Sequence, residues 1–96
     1  MIEKVKLALR ISSGYFDLEV AELIESAKDD LRYSGVKDSK LDDGELDPLV
    51  ARAVITYCKA HFGYDNPDKE GLVKAYDSIK THLCLSNEYK VGDANA

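Results

Sequence analysis

Cys58 and His61 stand three residues apart, and His82 and Cys84 stand two apart. Thiolate and imidazole are the ligands from which tetrahedral zinc sites are built. Helical phase argues against such a site here. Two residues apart on a helix, His82 and Cys84 point about 200° away from each other and cannot close on one ion. Cys58 shares a face with Val54. It reads as a buried, inert thiol, whereas a nucleophile needs a neighbouring base and partial exposure. Asp42-Asp43-Gly44 resembles the centre of a calcium loop. With Gly44 at the sixth position, ligands would fall on Ser39, Leu41 and Val50, and leucine and valine have no side-chain oxygen to offer. Ser12-Ser13-Gly14 has neither the preceding strand nor the following lysine of a phosphate loop. Carboxylates are plentiful, but none falls on an apolar face that would raise its pKa for acid–base work. The expectation is a chain with no catalytic residues, no metal site and no cofactor.

The elements around these residues explain why so little is left for chemistry. Ile2, Val5 and Leu9 share helical spacing, with Leu7 off the stripe. Arg10 to Gly14 breaks that segment. A second helix is expected from Asp17, a plausible cap, to about Tyr33, with Val20, Leu23, Ile24, Ala27 and Leu31 on one stripe. Glu19 and Glu22 fall early in it, Lys28 and Arg32 late, an order that suits the helix dipole. Ser34-Gly35 stops it. Two further helices start at Asp47-Pro48 and Asn66-Pro67, each a capping side chain followed by proline, whose missing N–H costs nothing at the first helical position. The third helix runs to Phe62, where Gly63 fits a left-handed stop; the fourth runs to about Leu85 with Leu72, Val73, Tyr76, Ile79 and Leu83 inward. The histidines near helix ends are expected to be favourable there when protonated. Between the second and third helices, Val36 to Leu46 reads as a long acidic loop in which Asp38, Asp42, Asp43 and Glu45 outnumber Lys37 and Lys40. No period-two alternation and no internal repeat occur. The fold class is therefore all-α, a small bundle of about four helices, with residues 1–86 as one domain. The tail 87–96 lacks an apolar period and is expected to be mobile until a partner orders it.

The totals set the same limits. Ninety-six residues suggest one domain. Eighteen acidic residues against thirteen basic ones give a net charge of −5, which excludes a chain-wide nucleic-acid footprint. Two features argue against a helix-turn-helix: the connection before the third helix is too long, and that helix carries only Arg52 and Lys59 as cations. Two cysteines without a disulfide framework, a charged start at Met1–Lys6 and no long apolar run suggest a reduced, cytosolic product outside the membrane. Tyr57 and Tyr76 suit core edges, while Tyr64, beside a helix stop, is open to a partner subunit.

One pattern joins these pieces: Leu9-Arg10-Ile11, a helix with Leu23-Ile24 and Ala27, Asp47-Pro48 with Ala53 and Tyr57, then Tyr76 through Leu83-Cys84-Leu85-Ser86 and Tyr89. It resembles the small head–tail connector proteins of tailed bacteriophages and prophages, also called DNA-packaging or head-completion adaptors, over roughly Val5 to Tyr89. The acidic run that often precedes the second helix in that family is replaced here by Ser12-Ser13-Gly14-Tyr15-Phe16, with Asp17 kept. The resemblance implies a structural virion protein at the head–tail junction, made in the host cytoplasm. It implies a homo-oligomeric ring, a dodecamer being one candidate, that sits under the portal protein, extends its DNA channel without binding DNA specifically, and docks a downstream tail protein. Partner contacts are expected at Asp38, Asp42, Asp43, Glu45, Tyr64 and Tyr89. The competing reading is a small helical interaction module with no phage role.

Overall fold

The fold is that of a computed structural model, which describes residues 1–42, 46–63 and 65–92. Helix α1 spans Ile2–Leu9, α2 Asp17–Ser34, α3 Pro48–His61 and α4 Lys69–Leu85, with short 3-10 turns at Gly14–Phe16 and Asp38–Lys40. No strand occurs among the described residues, so the chain is all-α as its periodicity indicates. Helix α3 is the hub. It pairs most extensively with α4, then with α2, while α1 lies against both α2 and α3. The stripes meet in one core of Val5, Val20, Ile24, Ala27, Leu31, Val50, Ala53, Val54, Cys58, Tyr76 and Leu83. Leu31 and Leu83 are fully buried, and covering a side chain of that size stabilises the fold by about 1.5–3 kcal/mol.

The helix ends show which local signals were decisive. Asp47 caps α3 as its sequence suggests, its Oδ1 accepting from the N–H groups of Leu49 and Val50 at 3.1 Å each. Gly63 takes the expected left-handed conformation, φ 80°. Asp17 differs from expectation: it is the first residue of α2, makes no cap hydrogen bond there, and instead pairs with Lys6 of α1 at 2.8 Å. The side chain that does accept is Ser13, from Tyr15 N–H at 3.0 Å. Asn66-Pro67 also differs. Asn66 accepts from Asp68 N–H at 3.0 Å and donates its amide to the Lys59 carbonyl at 2.7 Å, so it bridges the end of α3 to a turn, and α4 begins only at Lys69. Arg10 ends α1 in the left-handed region, φ 61°, a conformation that costs an L-residue roughly 1–2 kcal/mol.

The connection from α2 to α3 is more built than an acidic loop. Val36 and Leu41 are core residues on either side of the Asp38–Lys40 turn. They are five residues apart, a spacing that no periodic template flags. Nor does the chain leave the bundle at Ser86. Lys37 N–H donates to the Tyr89 carbonyl at 2.8 Å and Val91 N–H to the Gly35 carbonyl at 2.7 Å, an antiparallel bridge of Val36 with Lys90. Backbone pairing carries this contact, which is why a search for apolar periodicity missed it. Helix α4 ends at Leu85, but the hydrogen-bonded chain extends to Val91.

Candidate functional site

The residues expected to touch partners gather partly at one junction, where the 36–42 segment, the start of α3 and the end of the chain meet. Asp38 accepts from Arg32 Nε at 2.6 Å, and Arg32 also pairs with Asp29 at 2.5 Å. Tyr89 is placed centrally. Its carbonyl receives Lys37 N–H, its hydroxyl donates to the Asp47 carboxylate, and Lys40 Nζ lies 5.2 Å from its ring centroid. Lys40 reaches Glu88 at 3.5 Å as well. The bond to Asp47, together with burial, pushes the Tyr89 phenol up to about 12. Burial alone would raise the Asp47 carboxyl, but the Tyr89 hydroxyl and the two cap N–H groups outweigh it and hold it below the usual carboxylate range. Tyr89 and Asp38 thus make contacts within the chain. Asp42 is exposed. Asp43, Glu45 and Tyr64 lie outside the described residues.

A second polar cluster joins α2 to α4. Tyr76 Oη donates to Asp30 Oδ2 at 2.6 Å and Lys80 Nζ donates to the same oxygen at 3.1 Å. The rings of Tyr57 and Tyr76 pack edge-on at 5.2 Å, and Tyr57 lies against His61 at 4.4 Å. Burial would raise Asp30, yet the donors from Tyr76 and Lys80 hold it below the ordinary value. Burial and the Asp30 charge raise the Tyr76 phenol strongly. Burial first, then Lys69, lowers the His61 imidazole, so at this residue they outweigh the helix-end effect expected to favour its protonated form. Burial also pushes the Cys58 thiol up to about 12, consistent with a core residue. The cluster is a strut: Asp30 holds Tyr76 and Lys80 across the two helices. Among the described residues, no three His, Cys, Asp or Glu side chains are placed to hold a metal ion, and no helix is long and apolar enough to cross a membrane.

Sequence reasoning missed the two ends of the bundle. At one, Tyr15 and Phe16 pack edge-on at 5.0 Å and Phe16 packs on Phe62 at 5.4 Å, beside an open groove of about 430 Å³ lined by Phe16, Glu19, Phe62 and Gly63. Tyr15 and Leu18 remain exposed there. At the other, Tyr33, Leu85 and Val91 are exposed around the point where Cys84 Sγ donates to the Ser34 carbonyl at 3.0 Å. Part of the signal was present: Leu18, Tyr33 and Leu85 lie off the apolar stripes of α2 and α4.

Comparison with curated proteins gives no match, and comparison with solved structures gives none. Comparison with protein families gives a match to a family described as phage connector protein, over residues 1–90. The match takes in all four helices and the bridge to Lys90, that is, the whole of the packed unit described above. A four-helix bundle whose polar clusters serve as struts, matched over nearly its full length, places this chain in the phage connector protein family.

Proposed function

We propose that the protein is a non-enzymatic adaptor that assembles as a homo-oligomeric ring on the portal protein, prolongs the DNA channel and offers its far side to a tail component. Membership of the connector family over residues 1–90 carries this reading. The physical features agree with it. The two polar clusters bind one part of the chain to another and leave the ends of the bundle for neighbours. A ring needs one face of a subunit to fit a different face of the next, and the two ends of this bundle carry different apolar groups. A net charge of −5 suits a conduit: DNA must slide through, and a wall richer in Asp and Glu than in Lys and Arg repels phosphate. In this reading Asp42 faces the channel or the tail-side partner. The test is to mix the purified protein with portal-bearing capsids and image the vertex. Added ring density beneath the portal is the expected result; bare vertices at saturating protein would refute the proposal.

A further inference from the structure

We propose that neighbouring copies join end to end, with Leu85, Tyr33 and Val91 of one subunit seated on the Tyr15–Phe16–Leu18 end and its groove in the next. This deepens the ring reading above and rests on it. Helix α2 fixes the geometry. Tyr15 and Phe16 sit immediately before its first residue and Tyr33 just before its last, so its 18 residues hold the two ends roughly 27 Å apart. No single subunit can cover one end with the other. Both ends are open to solvent: Tyr15 is 85% exposed and Leu18 72%, against 89% for Tyr33, 75% for Leu85 and 58% for Val91. The ends differ in shape. The first is concave, its groove walled by the crossed rings of Phe16 and Phe62 with Gly63 at the rim. The second presents side chains from three separate stretches, drawn together by the Cys84–Ser34 and Val91–Gly35 hydrogen bonds.

Area favours a second copy as the occupant. A large aromatic side chain covers about 150–250 Å², so each end offers roughly 400 Å² of apolar surface, about half of the ~800 Å² that each partner gives to a stable interface. One such contact holds a pair only weakly, at high protein concentration. A subunit in a closed ring uses both of its ends and buries twice that area, which favours the ring over the dimer. At low concentration the free protein is then a monomer, and the portal supplies the template on which the contacts accumulate.

The decisive experiment uses two variants of the full chain, L18E with Y15E to block the first end and L85E with Y33E to block the second. All four positions are exposed, and circular dichroism should show unchanged helix content and melting. On portal-bearing capsids neither variant alone should give a ring. At high concentration their equimolar mixture should form a one-to-one pair and nothing larger by native mass spectrometry, because only one complementary pair of ends survives. Three results would overturn the proposal: normal rings from either variant, no pair in the mixture, or photo-crosslinks from a benzoylphenylalanine at position 15 that run only to the portal or a tail protein. Rings from the wild type together with rings from both variants would sink this interface and leave the connector function standing. Absence of wild-type rings would remove both.

Discussion

The Asp47 carboxylate receives three donors at once: the N–H groups of Leu49 and Val50 and the hydroxyl of Tyr89. It therefore ties the start of the central helix to the end of the chain. Replacing it with alanine removes the cap, worth about 1 kcal/mol, and also frees Tyr89. Loss of the cap alone would leave the chain beyond Ser86 unaffected. Asp47→Ala is therefore expected to increase hydrogen exchange at Val91 as well as at the first turn of α3. Exchange confined to α3 would show that Tyr89 is held by its backbone bonds without this carboxylate. Acid probes the same residue together with Asp30. Both carboxyls ionise more readily in the folded chain than at their ordinary value of 3.8. Their stabilisation is complete above that value and is lost as pH falls through the lower folded values. The wild type should lose stability as pH falls below about 4, and the Asp30→Ala, Asp47→Ala double variant should lose less over that range. Equal losses in urea melts would contradict the assignment.

At the scale of elements, the four helices were legible because burial repeats every three to four residues, and the stripes of α2 and α4 match their buried faces. Asp47-Pro48 was legible because a cap and a following proline solve one local problem without help from the rest of the fold. Asn66-Pro67 looked identical and behaves differently, because Asn66 is also needed to satisfy a carbonyl of α3. That competition is tertiary and leaves no trace in the local pattern. The 36–42 segment was illegible for a related reason: Val36 and Leu41 are buried singly, and a single apolar residue has no period. Its contribution can be measured. Leu41→Ala should cost about 2–4 kcal/mol as a core truncation, whereas a residue in a solvated loop would cost under about 0.5 kcal/mol. The opposite sign is expected at Gly71, which lies inside α4 with open space where a methyl group would sit. Gly71→Ala should stabilise by up to about 1 kcal/mol. Thermal melts of the two variants would show both effects, and an unchanged or lower melting temperature for Gly71→Ala would mean that the helix is not regular there.

For the whole molecule, the division of labour is between an interior that needs no partner and ends that do. The apolar stripes, the Asp30–Tyr76–Lys80 strut and the 89–91 bridge close the fold on itself. The side chains left outside were the least legible part of the candidate site, since an off-stripe Leu or Tyr is unremarkable until the fold shows which others stand beside it. Acidic residues stood out in the sequence between α2 and α3 because they cluster, yet Asp38 is used within the chain. Hydrogen exchange read by mass spectrometry, on the free subunit and on the same protein docked to portal-bearing capsids, tests this division most directly. The account predicts unchanged, slow exchange in the middle of α2, α3 and α4 in both states. It predicts new protection on docking around residues 15–18, 33–35 and 84–91. Protection that appears in the helix interiors only on docking would show that the subunit does not fold alone, and docking without protection at either end would contradict the claim that those ends are the contact surfaces.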